Sequence, residues 1–274
     1  MRAGIKSFGV IGFGNMGGAL VGGAVRSGLL SPPEVTVFDL DPSRMEMARK
    51  AGLATAGSLE RAASSDALLL AVKPKDMPAL LDSLRLVSPP GKQLIISIAA
   101  GVTIGTIEAR LGEGSRVVRI MPNIAASVNE AASVFVANRS ATAADIGFVD
   151  SLLRGVGAAF RIEDEAVLDV VTGISGSGPA YFFLLSKALE EVGRGFGLSP
   201  ELARALVAQT CKGAGSMALQ SGESFDRLIG AVASPGGTTE EALKVMDSKG
   251  FSQTVAEAVS AAIEKSRKMR TAQS

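Results

Sequence analysis

Up to about position 160, short apolar runs alternate with amphipathic stretches, and then the alternation stops. Short apolar, β-rich runs over 8–12, 35–39, 67–72, 94–98, 116–121, 133–137 and 157–161 predict strands. Between them, apolar positions at helical spacing over 16–27, 42–51, 59–64, 78–86, 104–111 and 143–153 predict helices. The runs are continuous rather than strictly alternating, which suits parallel strands buried on both faces. Strand–helix–strand repetition of this kind predicts a doubly wound α/β sheet.

Beyond position 162 the strand-like runs disappear. Stretches over 163–173, 179–196, 200–221, 225–230, 238–247 and 253–270 predict helices, with start signals such as Ser199-Pro200. The chain therefore divides into a Rossmann-type α/β domain over 1–162 and an all-α domain over 163–274. The helical half is rich in Ala and Leu and several of its helices carry few charges. Such a domain is expected to bury surplus apolar surface in an oligomer rather than stand as a monomeric bundle.

Composition narrows the chemistry. The 274 residues are 47% hydrophobic, and 28 Lys and Arg against 27 Asp and Glu leave a formal charge of +1. No basic stripe points to nucleic acid, and with no Trp and few aromatic residues there is no stacking platform for bases. The absence of His removes imidazole acid–base chemistry, Ser-His-Asp triads and His metal ligands together. Cys211 is the single cysteine, so no intrachain disulfide forms. The longest apolar runs, such as 67–72 and 95–100, are strand-length, and no membrane span or membrane partner is expected. Arg2 and Lys6 precede the apolar run at 8–11 as in a signal peptide, but Gly12 and Gly14 break that run. It reads instead as the first strand of a cytoplasmic protein.

Gly12-Phe13-Gly14-Asn15-Met16-Gly17 follows that first strand and opens a helix. The first glycine permits a tight turn after Ile11, the second lets a pyrophosphate approach the backbone, and the third lets helix and strand pack closely. Helix N-terminal amides then face the phosphate charge. Asp39 ends the second strand about twenty residues further on, where the dinucleotide fingerprint expects an acceptor for ribose hydroxyls. A dinucleotide, NADH or NADPH, is the expected cofactor. Asp39 favours the first, whereas Ser43 and Arg44 just beyond it are placed to hold a 2′-phosphate, so the choice stays open.

Other strand ends fall at the same edge. Ala71-Val72-Lys73-Pro74 leaves the third run, with Lys73 either a cofactor contact or a solvated loop charge. Ser97-Ile98-Ala99-Ala100-Gly101 leaves the next, with side chains small enough for a nicotinamide ring. Met121-Pro122-Asn123 leaves the fifth, with Asn123 either a ligand contact or a turn former.

Two segments of the helical half are unlike ordinary helix sequence. One is Gly173-Ile174-Ser175-Gly176-Ser177-Gly178-Pro179-Ala180-Tyr181, whose glycines permit close approach of another backbone or of a cofactor. The other is Ser234-Pro235-Gly236-Gly237-Thr238-Thr239 at a helix start. Its amides and hydroxyls suit an anion such as a substrate carboxylate, and its plain alternative is a helix cap made by Thr238 or Thr239.

Together the glycine loop, 71–74, 97–101, 121–123, 173–181 and the most specific segment, 234–239 running into Ala242-Leu243, resemble the pyrroline-5-carboxylate reductase family over essentially the whole chain. The resemblance implies hydride transfer from NADH or NADPH to the C=N carbon of 1-pyrroline-5-carboxylate, the last step of proline synthesis. It implies a homodimer built from interlocked helical domains, often assembled further into a decamer. It gives Thr239 the role of hydrogen-bonding the ring nitrogen, the loop of Gly236, Gly237 and Thr238 that of receiving the carboxylate, and Glu165 a place near the ring nitrogen. Ser58, Ile98, Ala99 and Ala100 match positions that touch the cofactor. The chain departs from the family pattern at Ala231, where some members have Asn, and at Ile124-Ala125, where Thr-Pro often follows the Asn.

Three other readings compete. A β-hydroxyacid dehydrogenase shares the plan but needs a Lys four residues after Gly178, where this chain has Phe182. A reductase of related cyclic imines would differ only in pocket volume. A dinucleotide-binding sensor without turnover would have no use for the 234–239 loop.

Overall fold

The computed structural model describes residues 4–271. One eight-stranded sheet organises the first part of the chain, in the order β3-β2-β1-β4-β5-β6-β7-β8. Its strands are β1 (Phe8–Ile11), β2 (Val35–Phe38), β3 (Ala54–Thr55), β4 (Ala67–Leu70), β5 (Leu94–Ser97), β6 (Arg116–Met121), β7 (Ala131–Ala137) and β8 (Gly157–Arg161). The helices α1 (Asn15–Arg26), α2 (Pro42–Lys50), α3 (Leu59–Ala62), α4 (Met77–Val87), α5 (Ile104–Leu111) and α6 (Ala143–Arg154) connect them. The first six strands are parallel in the order 3-2-1-4-5-6 of a dinucleotide-binding sheet. β7 turns back antiparallel to β6, because the 3-10 turn Ile124–Val128 and left-handed Asn129 are too short a connection for a parallel crossover. β3 is an edge strand of two residues that the apolar pattern does not announce.

Every residue of β1, β4 and β5 is buried, as continuous apolar runs require. Phe8, Val10, Leu69 and Ile96 belong to one core layer with Leu20 of α1 and Phe148 of α6, the Phe8 and Phe148 rings meeting edge-on at 5.7 Å. Ile11, Leu68, Leu70 and Ile95 belong to the other, with Leu81 of α4 and Ile107 of α5. Each such side chain contributes about 1.5–3 kcal/mol by leaving water, so this sheet carries its own core.

Helix α7 (Val167–Val171) continues through a π-helical segment, Thr172–Gly176, into α8 (Gly178–Gly195). Then come α9 (Pro200–Ser221), α10 (Phe225–Val232), α11 (Thr238–Ser248) and α12 (Phe251–Thr271). The predicted helix over 163–173 begins only at Val167, because Asp164 Oδ1 accepts from Ala166 N in a turn before it.

By compactness the chain forms two units. One runs up to Ser177 and takes in the end of α12 from Ala262; the other is Gly178–Ala261. The end of α12 joins the first unit through a buried carboxylate. Ser266 Oγ donates to Asp169 Oδ1 at 2.7 Å, and Arg270 Nε stands 3.1 Å from Asp169 Oδ2. In the second unit α8 and α9 pack closely where Gly193 leaves room for Leu198 and Ala203. Among its described residues Ala203 is the one buried hydrophobic side chain, while Phe182, Phe183, Leu184, Phe196, Leu219 and Phe225 are exposed.

Candidate active site

Strand register brings the candidate residues of the first unit to one edge. Ile11 lies opposite both Phe38 and Leu70, Leu70 opposite Ser97, and Ser97 opposite Arg119. The turns beginning at Gly12, Asp39, Ala71 and Ile98 therefore open side by side at the carboxyl edge, the binding edge of such sheets.

The three glycines each meet a distinct constraint. Gly12 has φ +94°, and an added Cβ would stand 2.7 Å from the Ala71 carbonyl oxygen. At Gly17 the added atom would lie 2.4 Å from Gly12 O, so this glycine seats α1 on the strand end. Gly14, the N-cap of α1, has nothing within 4 Å of an added Cβ. The open side is where a pyrophosphate would approach the first amides of α1, and the cradle fits a dinucleotide. Asn15 is exposed and Met16 half-buried at the start of α1, whereas the Phe13 side chain is in the core and only its backbone reaches the cradle.

Asp39 is fixed by two backbone donors: Phe13 N to Oδ2 at 2.6 Å and Asp41 N to Oδ1 at 2.9 Å. A carboxylate has about four lone-pair positions, so two remain for ribose hydroxyls. Beside it an open cleft of about 470 Å³ is lined by Asp39, Leu40, Pro42, Met45, Arg49 and Gly57 among others. Leu40 is 89% exposed, an apolar side chain held in water at the mouth of that cleft. Ser43 is exposed on α2, with its amide taken by Asp41 Oδ1. Ser58 caps α3, its Oγ accepting from Arg61 N at 3.4 Å.

The later turns close the edge. Ala71 N donates to Ile11 O at 2.8 Å, holding the exit of β4 against the glycine turn, with Val72 half-buried. Lys73 is exposed and precedes the 3-10 turn Pro74–Asp76. Ile98 and Ala100 are half-buried and Ala99 is buried. Asn123 Nδ2 donates to Ser175 O in the π-helical segment at 3.1 Å, while its buried Oδ1 has no hydrogen-bond partner. A π segment is often found at functional sites, and here it coincides with the glycine-rich 173–178 stretch.

Glu165 is held by partners that the sequence did not reveal. Its Oε1 accepts from Arg119 Nη1 at 2.7 Å and from Ile104 N, the first amide of α5, at 2.8 Å. Arg119 is buried near the end of β6, so the three residues tie β6, α5 and the 163–166 turn together.

In the second unit, Gly236 has φ +72° and Gly237 is the N-cap of α11, its N–H donating to Ser234 O at 2.9 Å. Neither Thr238 nor Thr239 caps the helix; they are its first two residues, the first exposed and the second half-buried. Their hydroxyls are thus not committed to a capping bond. Glu240 reaches back, and its Oε2 accepts from Gly236 N at 2.6 Å. A resident carboxylate therefore already sits on one amide of the loop expected to take an anion. No local spacing rule distinguishes this fold-back from an ordinary first-turn Glu.

A doubly wound sheet with an open glycine cradle, followed by a glycine- and threonine-rich loop in an all-α unit, defines a dinucleotide-dependent oxidoreductase of the Rossmann class. Residues 165–269 match the family model described as pyrroline-5-carboxylate reductase dimerisation, and residues 7–101 match NADP oxidoreductase, coenzyme F420-dependent. Pyrroline-5-carboxylate reductase of Pseudomonas aeruginosa is 40% identical over 86% of this chain and 88% of its own. That of Aquifex aeolicus is 34% identical over 98% and 97%. The solved pyrroline-5-carboxylate reductase of Coxiella burnetii superimposes with a TM-score of 0.91 at 34% identity, covering 97% of this chain and 98% of the other. The Plasmodium falciparum pyrroline carboxylate reductase, solved with NADP bound, gives 0.88 at 31% identity over 98% and 100%. The chain belongs to the pyrroline-5-carboxylate reductase family.

Proposed function

We propose that this chain reduces 1-pyrroline-5-carboxylate to L-proline with NADH or NADPH. The observation that carries the reading is the open glycine cradle at Gly14 in a chain matched, along nearly its whole length, to reductases of that substrate. Bound reduced nicotinamide supplies a hydride to the C=N carbon, and a proton on the ring nitrogen completes the amine. A protonated imine is already electrophilic, so no strong protein acid is needed, which suits a chain without His.

The chain's own residues bind and orient. Gly12, Gly14 and Gly17 shape the pyrophosphate seat, Asp39 accepts from the ribose, and the strand exits at Ala71, Val72, Pro74, Ile98, Ala99, Ala100 and Asn123 border the nicotinamide end. Gly236, Gly237, Thr238 and Ser234 receive the substrate carboxylate, and Thr239 donates to or accepts from the ring nitrogen. The test is oxidation of NADH or NADPH with 1-pyrroline-5-carboxylate as sole acceptor. Turnover that depends on the imine is expected; none with either cofactor would overturn the reading.

The second unit works as a homodimerisation surface in a cytoplasmic enzyme. A helical unit with Ala203 as its one buried hydrophobic side chain cannot stabilise itself, and its exposed Phe and Leu side chains call for a second copy. The continuous helix Val167–Gly195 is, by length and composition alone, apolar enough to cross a membrane, contrary to the expectation from run lengths. Its exposed apolar side chains serve the same dimer surface. Light scattering at micromolar concentration gives a mass of two chains, or ten where dimers assemble further; a single-chain mass would exclude the dimer.

A further inference from the structure

Asp39 and Asp41 follow β2 two residues apart and do different work. The end of β2 is where the adenosine ribose of a dinucleotide lies in this fold. A cofactor phosphorylated at the 2′ position brings a further group of about two negative charges to that place. Proteins hold such a group with the free amides of a helix N-terminus and with a guanidinium.

In this chain the amides at the start of α2 are already used. Asp41 is the N-cap of α2, and its Oδ1 accepts from Ser43 N at 2.8 Å. The amides of Arg44 and Met45 are spent on the Asp41 carbonyl at 3.1 and 3.2 Å. The hydrogen bonds from Ser43 hold the Asp41 carboxyl below the usual carboxylate range, so it is fully charged at neutral pH. Arg44 extends along its own helix, Nη1 standing 3.8 Å from Met47 Sδ, and Arg49 pairs with Glu46 at 3.2 Å. The Asp39 carboxylate, locked by Phe13 N and Asp41 N, adds a second negative charge that cannot swing aside.

We propose that Asp41 is a specificity-determining residue, a resident anion at the start of α2 that excludes a 2′-phosphate and makes the enzyme selective for NADH. The proposal rests on the dinucleotide reading above and sharpens it. Asp39 accepts from the ribose hydroxyls that the phosphate would otherwise replace, and Asp41 sets a fixed negative charge at the helix start where that phosphate would come.

The experiment is direct binding, followed by the fluorescence of the reduced nicotinamide in the full-length protein without substrate. The wild type is expected to bind NADH at least about tenfold more tightly than NADPH, a difference of ~1.4 kcal/mol. Asp41→Asn keeps a good N-cap and removes the charge. It lowers the ratio of the NADPH to the NADH Kd by about tenfold, and Asp41→Ser does the same. Equal wild-type affinities, or a ratio unmoved in both variants, would overturn the proposal. Binding of neither dinucleotide would overturn the underlying reading with it, which keeps the two failures distinguishable.

Discussion

A Cβ added to Gly17 would lie 2.4 Å from the carbonyl oxygen of Gly12, and this closeness seats α1 on the end of β1. The obstacle is backbone, which no rotamer change relieves. Gly17→Ala is therefore expected to cost about 1–3 kcal/mol, read as a lower Tm without cofactor. At Gly14 the added group meets no protein atom within 4 Å. Gly14→Ala should melt like the wild type yet bind NADH at least about tenfold more weakly. Unchanged affinity in Gly14→Ala would remove the pyrophosphate from this turn.

Thr239, the second residue of α11, has no capping duty to explain it. Thr239→Val should lower kcat/KM for the imine by about 10²-fold, the scale for one transition-state hydrogen bond, and Thr239→Ser should recover much of it. Steady-state kinetics identical to wild type in the Val variant would remove Thr239 from the reaction.

Glu240 competes for the loop that the substrate carboxylate needs, since its Oε2 holds Gly236 N. A single charge at a helix start contributes about 0.3–1 kcal/mol. Glu240→Gln is expected to lower KM for the imine about threefold, a change of roughly 0.6 kcal/mol, with a smaller effect on kcat. A raised KM would instead make Glu240 part of the substrate's support.

Asp66 joins the entry to β1 with the entry to β4. Burial raises the pKa of its carboxyl, but hydrogen bonds from Lys6 N, Ser7 Oγ and Ser7 N outweigh that and hold it below the ordinary 3.8. A depressed carboxyl stabilises the fold above its unfolded pKa, and that contribution is lost as pH falls through the folded pKa. The loss thus begins near pH 3.8 and is complete only below the folded value. Thermal melts of Asp66→Asn should be lower than wild type at neutral pH, with the gap closing in acid. A constant gap down to acid pH would mean that ionisation of Asp66 carries none of the difference.

β1, β4 and β5 were legible because parallel strands buried on both faces write themselves as unbroken apolar runs, and β2, β6, β7 and β8 because each still carries a short apolar or β-branched run. β3 was not, because Ala54 and Thr55 carry no run and pair only through the neighbouring β2. The glycine turn was legible because its constraints are local: Gly12 and Gly17 answer to atoms within one strand–turn–helix unit or its neighbouring strand, and Gly14 stands open between them. Phe13 shows where a motif misleads, since a motif position and a core side chain coincide in one residue. The clamp of Glu165 on Arg119 and Ile104 joins residues separated by 46 and 61 positions, and no spacing rule reaches that far. Glu240 and Asp41 were hidden differently. Each looks like an ordinary acidic residue at a helix start, and only the direction of its side chain shows which amide it occupies.

The latch between α12 and α7 bears on the order in which the protein is made. Asp169 is translated early, but Ser266 and Arg270, which hold its buried carboxylate, leave the ribosome only after the whole of Gly178–Ala261. Until those residues emerge, the Asp169 carboxylate lacks the partners that hold it once it is covered. Domains usually fold as units, N-terminal first; here the sheet unit is completed by a segment that follows the second unit in sequence.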